Sequence, residues 1–125
     1  MARIISFSIE EDDLLELGEV EKRYRNRSEA IRAGVKHLAL EEKALDSLKG
    51  YCTAIVIVVH SDEAEADVSS VKHDFANEVK TQVHNSLGKK CAEVFVLEGS
   101  SGRLTEFYRR LRQAKKIAYS KFLEI

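Results

Sequence analysis

Polar and hydrophobic residues alternate near the start of the chain, and the spacing then becomes helical. Within residues 3–9, Ile5, Phe7 and Ile9 fall on one face of an extended segment, so a short strand is predicted there. The next segment begins with acidic residues, which suit the first turn of a helix, and its apolar residues then recur at helical spacing. The pattern therefore predicts a strand followed by a helix.

A second helix is predicted in the stretch that begins RNRSEAIRAGVKHLAL. Ser28 is a suitable N-cap, and the apolar residues after it share one helix face, so we expect a helix that runs to about Leu48. Lys49 and Gly50 then mark a boundary, which gives a first domain of residues 1–49. One strand and two helices bury little apolar surface and leave the strand edge unpaired. The economical arrangement is a dimer in which two such strands pair antiparallel.

The remainder, residues 50–125, alternates between strand and helix patterns. The nearly continuous apolar run from Cys52 to Val59 predicts a central strand. A helix capped by Ser61 is expected next, then two strands joined by a turn at Gly88–Lys90, another helix, and a last strand over residues 117–125. The resulting order, βαββαβ, is that of a ferredoxin-like domain, so the chain is predicted to be α+β.

Charge and composition restrict the possible functions. The formal net charge is −1, so any binding of nucleic acid must depend on local charge, for which the basic segment Lys22–Arg32 is the candidate. The longest apolar run, AIVIVV, is too short to span a bilayer, and the first residues lack a signal-peptide core. We therefore expect a cytoplasmic protein with no membrane association. Two cysteines do not make a disulfide framework.

The motif NRSEAIR, Asn26–Arg32, follows a short strand and a helix and resembles the ribbon-helix-helix DNA-binding family. The resemblance implies that outward strand side chains contact bases of a double-stranded DNA operator, while the start of the second helix binds phosphate. A helix N-terminus beside arginines is a physically reasonable anion site. The DNA-binding residues implied in this way are Arg3, Ile4, Ser6, Ser8, Arg27 and Ser28. Ile4 could contact a thymine methyl group but cannot hydrogen-bond to a base, and packing within the dimer is its alternative role.

Taken together, the two domains resemble the nickel-responsive ribbon-helix-helix transcriptional regulators, a family of repressors. The resemblance covers essentially the whole chain and implies that residues 50–125 form an ACT-type regulatory and tetramerisation domain. It also implies a homotetramer, a dimer of dimers, with nickel between subunits in a planar site of three histidines and one cysteine. Planar coordination by nitrogen and sulfur suits Ni(II) or Cu(II) on chemical grounds as well.

The family's metal-binding pattern is matched only in part. His73 closes the predicted helix, His84 lies eleven residues later on a strand, and Cys91 opens the next strand, so these are the implied ligands. The pattern places another histidine at position 86, where this chain has Ser86. A shifted alignment would instead pair His84 with that second histidine and put Gln82 in the first place. Either way one imidazole is missing, and a hydroxyl is a poor substitute for it.

Three functional hypotheses follow. The first is a regulator that responds to a transition metal, nickel before others, through an altered site for which His60 is a candidate substitute ligand. The second is a ribbon-helix-helix regulator that senses a non-metal small ligand through its ACT-like domain, or that acts independently of metal. The third is an assembly module or antitoxin-like partner binder, suggested by Ile4 and the acidic first domain. An enzyme is not expected, because we find no nucleophile–base pair, phosphate-binding loop or paired acids.

Overall fold

A computed structural model describes residues 1–125, which divide into two compact units, residues 1–46 and residues 47–125. The helices are α1 Glu11–Glu21, α2 Arg27–Asp46, α3 Glu65–Asp74 and α4 Ser101–Arg112. The strands are β1 Tyr51–Ser61, β2 Val79–Leu87, β3 Lys90–Ser100 and β4 Ile117–Glu124, and a single 3₁₀ turn, Asp62–Ala64, precedes α3. None of the four helices combines the length and the hydrophobicity that spanning a bilayer requires.

The first unit contains α1 and α2, and the strand predicted over residues 3–9 is not formed in this single chain. Residues 1–10 have no secondary structure and are exposed, with Ile4 101% and Phe7 62% accessible. A strand needs a neighbouring strand for its backbone hydrogen bonds, and the chain's four strands are all paired with one another. The alternation in residues 3–9 therefore has no partner within the chain.

Helix α2 is capped by Asn26 and not by Ser28 as the sequence predicted. The Asn26 side-chain oxygen accepts a hydrogen bond from the Glu29 backbone N–H at 2.9 Å, and the helix begins at Arg27. Both residue types are good caps, but Ser28 lies inside the first turn, where its side chain is not placed to cap the helix. The helix ends at Asp46, two residues before the predicted end.

Replacing Asn26 by Ala is expected to reduce the free energy of unfolding by about 1 kcal/mol, because the Glu29 N–H loses its partner. Ser28→Ala is the matched control, with an expected change within about 0.5 kcal/mol. The free energy of unfolding of both variants is measured by urea denaturation of the full chain, followed by the circular dichroism signal of the helices. A larger loss in Ser28→Ala than in Asn26→Ala would move the cap back to Ser28.

The second unit is a four-stranded antiparallel sheet in the order β2-β3-β1-β4. Its elements follow one another as βαββαβ, which confirms the ferredoxin-like order predicted from the sequence. The apolar strand β1 pairs with β3 on one side and β4 on the other, so it is central, as its hydrophobic run predicted.

One face of this sheet is covered by α3 and α4 and forms the core. Along β1 and β3, alternate residues are buried, so that every second side chain points towards the helices. At the centre of the core, the ring of Phe107 packs edge-on against Phe75 at 5.4 Å and Phe95 at 5.3 Å, and all three are fully buried. The opposite face of the sheet remains partly exposed.

Candidate functional site

The candidate metal ligands on the sheet lie on two neighbouring strands. His84 and Ser86 belong to β2 and Cys91 to β3, and the antiparallel register places Ser86 directly opposite Cys91 and His84 directly opposite Glu93. Residues directly opposite each other point to the same side of a sheet. Because Cys91 and Glu93 are buried on the helix-covered face, His84 and Ser86 also lie on that face. The Ser86 Oγ is 4.0 Å from the Cys91 Sγ.

The third predicted ligand, His73, is exposed in the last turn of α3. The chain contains no group of three or more His, Cys, Asp or Glu side chains placed to hold a metal ion. The fold thus brings His84, Ser86 and Cys91 onto one sheet face, and within a single chain it does not complete a site with them.

Beside these residues lies a buried cluster of ionisable side chains that the sequence did not predict. Glu93 is fully buried, and its Oε2 lies 2.6 Å from the Nε2 of His60, which is also fully buried. The Lys72 ammonium on α3 donates a hydrogen bond to Glu93 Oε1 at 3.1 Å, and the Nδ1 of His84 lies 3.7 Å from the same oxygen. A signal was present in the sequence: Glu93 follows Cys91 by two positions, so it had to point inward on a strand whose other inward residues are apolar or small.

The hydrogen bonds of His60 oppose the role of substitute metal ligand. Its Nδ1–H donates to the Ser61 carbonyl oxygen at 2.7 Å, because a carbonyl can only accept. Its Nε2 contacts Glu93 Oε2 at 2.6 Å, so a proton must lie between these two atoms. Both ring nitrogens are therefore engaged, and His60 has no free lone pair to offer a metal.

His84 differs from His60 in this respect. Its Nδ1 faces the carboxylate of Glu93, whereas its Nε2 is buried and has no hydrogen-bond partner. A buried polar atom without a partner is rare in folded proteins and calls for an explanation. An imidazole nitrogen and a thiol are donors that late transition metals prefer, so His84 and Cys91 have the chemistry that the predicted metal site requires, whereas the hydroxyl of Ser86 does not.

The predicted phosphate-binding residues lie at the start of α2, where the arginines are already paired. The Arg27 guanidinium grips the Glu21 carboxylate of α1 through two contacts, Nε–Oε2 at 2.5 Å and NH2–Oε1 at 3.2 Å. This hydrogen-bonded pair raises the pKa of Arg27 and lowers the pKa of Glu21. Arg25 and Arg32 both donate to Glu29, whose pKa is lowered chiefly by its bond to Arg32. Acidic neighbours thus offset much of the local positive charge.

The remaining predicted DNA contacts lie in the segment without secondary structure. Arg3, Ile4, Ser6 and Ser8 are all exposed there. At the start of α2, the Asn26 side chain accepts the hydrogen bond of the Glu29 N–H. The N–H groups of Arg27 and Ser28, in the first turn, have no acceptor within the helix. These groups are the ones that an anion at a helix N-terminus would contact.

Comparison with known proteins supports the resemblance seen in the sequence. Residues 52–124 match the NikR C terminal nickel binding domain family. A protein of Thermococcus onnurineus that is named as a nickel-responsive regulator is 30% identical over 82% of this chain and 77% of its own length. A protein of Methanococcus maripaludis with the same name is 27% identical over 90% of this chain and 84% of its own length.

Solved structures show the same fold at lower identity. An uncharacterized protein from Thermotoga maritima superposes with a TM-score of 0.57 at 15% identity, over 61% of this chain and 99% of its own. The ACT domain of a GTP pyrophosphokinase from Chlorobium tepidum gives a TM-score of 0.53 at 17% identity, over 59% of this chain and all of its own. These likenesses identify an ACT-type fold within an α+β chain. The family match covers most of the chain, and the chain belongs to the nickel-responsive regulator family.

Proposed function

We propose that this protein is a sequence-specific, DNA-binding transcriptional regulator that responds to a transition metal, nickel first, through an altered metal site. The observation that carries the proposal is the placement of His84 and Cys91 on one face of adjacent strands within the matched domain. The unpartnered Nε2 of His84 supplies an imidazole nitrogen on the same sheet face as the buried thiol of Cys91. The matching relatives are named as regulators.

The metal site is proposed to lie between subunits. His73 is exposed on α3 and is not brought together with His84 and Cys91 in one chain, so a second copy would supply it. Ser86 stands directly opposite Cys91 where the family pattern has histidine. The resulting donor set, two imidazoles and a thiolate, would take a water or a hydroxyl as its fourth ligand and bind nickel more weakly than a complete site.

An open apolar sheet face supports assembly of the second unit. On the side of the sheet away from the helices lie Ile55, Ile57, Val83, Val94, Val96, Tyr119 and Leu123. Several of these are substantially exposed, with Val83 50%, Tyr119 55% and Leu123 43% accessible. A contiguous apolar face of this kind typically marks an interface between proteins. We propose that it contributes to the core of a homotetramer built as a dimer of dimers.

The first unit is proposed to be a ribbon-helix-helix domain formed by two copies. Ile5, Phe7 and Ile9 alternate along residues 3–9 and are 81%, 62% and 40% exposed, so they need a covering surface that the single chain does not give them. Antiparallel pairing of two such segments would satisfy their backbone groups and bury this apolar side. The opposite side, with Ser6 and Ser8, would then face the major groove.

The metal part of the proposal is tested by equilibrium dialysis of the full chain against Ni(II), Cu(II) and Zn(II). We expect one metal ion per chain and, with Ni(II), a thiolate charge-transfer absorption band that Cys91→Ala abolishes. Cys52→Ala is the matched control, because Cys52 is opposite Gly99, at the other end of the sheet, and should leave the band unchanged. His73→Ala should weaken binding as well.

Failure to bind any of the three metals would favour the second hypothesis, a regulator whose ACT-like domain senses a non-metal ligand or none. The observation in favour of that hypothesis is Ser86, which removes an imidazole from the family pattern. In that case the regulator class would stand and the nickel assignment would be wrong.

A further inference from the structure

We infer that Glu93 is a positioning residue of the metal site: its buried carboxylate orients the imidazole of His84 so that Nε2 presents its lone pair to the metal. This inference rests on the proposed function, because it assigns His84 as a ligand. It also explains why a carboxylate lies in the apolar core of the second unit, which the ligand set alone does not explain.

The Glu93 carboxylate is held in one orientation by two other elements. His60 on β1 contacts Oε2 at 2.6 Å, and Lys72 on α3 donates to Oε1 at 3.1 Å. Glu93 and His60 are fully buried, and the Lys72 side chain is 17% exposed. A buried carboxyl group without partners would be strongly unfavourable, and these two contacts satisfy both of its oxygens and hold the group in place. Glu93 is therefore a rigid acceptor directly opposite His84.

His84 turns one nitrogen towards this acceptor and leaves the other without a partner. Its Nδ1 is 3.7 Å from Glu93 Oε1, which is longer than a hydrogen bond but close enough for electrostatic attraction to a proton on Nδ1. A neutral imidazole carries one proton, so placing it on Nδ1 leaves a lone pair on the buried, unpartnered Nε2. Metal-bound histidines commonly direct their other N–H to a carboxylate, which fixes the tautomer and strengthens the ligand.

The tautomer can be measured without any metal. In the full chain labelled with ¹⁵N-histidine, the ring nitrogen shifts of His84 report which nitrogen carries the proton. We expect Nδ1–H in the wild type, and loss of that preference in Glu93→Met, which has similar volume but no acceptor. Glu93→Gln keeps an acceptor oxygen and should retain the Nδ1–H form. Lys72→Met removes the ion pair on Oε1, leaves the carboxylate, and serves as the control for a merely structural effect.

Ni(II) affinity is then measured by equilibrium dialysis on the same four proteins. We expect Glu93→Met to weaken Ni(II) binding by about 10–100-fold. In Glu93→Gln and in Lys72→Met, the fold-loss of Ni(II) affinity should be less than about a third of the fold-loss in Glu93→Met, since both variants retain an oxygen that can face Nδ1. The thiolate band should persist in all four, because Cys91 is unchanged.

Two results would overturn the inference and are distinct from failure of the proposed function. The first is a wild-type His84 protonated on Nε2, which decides the question even if Glu93→Met does not fold. The second is equal loss of Ni(II) affinity in Glu93→Met and Lys72→Met, which would mean that Glu93 only stabilises the core. Absence of Ni(II) binding in the wild type would instead overturn the proposed function, and it is seen before any variant is compared.

Discussion

Replacing Ser86 by His is expected to raise the Ni(II) affinity of the full chain by more than about 100-fold, since a residue that merely orients a ligand is already worth 10–100-fold. Position 86 is directly opposite Cys91, and the Ser86 Oγ is 4.0 Å from the thiol. It shares a sheet face with His84, two residues earlier on β2. An imidazole there would complete a donor set of three nitrogens and one sulfur, which suits planar Ni(II).

Gln82→His is the matched control for this substitution. Gln82 lies on the same face of β2 but opposite Phe95, four residues further along the strands from the Ser86–Cys91 pair. Equilibrium dialysis against Ni(II), together with the thiolate charge-transfer band, should show a gain for Ser86→His and none for Gln82→His. The reverse result would mean that the shifted alignment is correct and that His84 occupies the place of the second histidine of the pair. A gain in neither would count against nickel as the ligand of this site.

Much of the second unit follows from hydrophobic pattern alone. The run from Cys52 to Val59 predicted a central strand, and β1 is hydrogen-bonded on both sides. Helix α4 likewise buries one periodic side, on which Leu104, Phe107, Tyr108 and Leu111 lie. These features are readable because each strand or helix buries a periodic apolar side against its own chain.

The features that were missed depend on pairings that a linear pattern does not contain. Asn26 and Ser28 are both favourable cap types, and they differ only by two residues in the position at which the helix would begin. The hydrophobic pattern does not distinguish these two positions. The link between His60 and Glu93 needs the register of β1 against β3, in which His60 is opposite Cys91 and Val58 is opposite Glu93. Residues 3–9 need a partner strand that one chain cannot supply.

Removing residues 2–9 deletes the segment that is proposed to pair with the same segment of a second chain. We expect this deletion to reduce discrimination between specific and unrelated DNA by at least about 1,000-fold, because specific recognition typically exceeds non-specific binding by 10³–10⁷. The deletion removes every proposed base contact, Arg3, Ile4, Ser6 and Ser8, and leaves α1, α2 and the sheet untouched. Metal binding by the second unit should not change.

The measurement begins by selecting duplexes from a random DNA pool with the wild-type chain, so that the operator does not have to be identified in advance. Binding to a selected duplex and to a scrambled one is then compared by fluorescence anisotropy at one fixed salt concentration. A deletion variant that still prefers the selected duplex would show that bases are read elsewhere. A wild-type chain that selects no sequence would favour the third hypothesis, an assembly module or partner binder.

Arg27→Ala separates phosphate contacts from base contacts in the same assay. In the free chain the Arg27 guanidinium donates to the Glu21 carboxylate. On DNA, a backbone phosphate would replace this carboxylate as the acceptor at the start of α2. The variant should weaken binding to selected and scrambled duplexes by a similar factor and reduce the salt dependence by about one phosphate contact. A loss confined to the selected duplex would instead place Arg27 at a base edge. Uniform loss from Arg27→Ala and selective loss from the deletion together would assign positioning to α2 and sequence reading to residues 3–8.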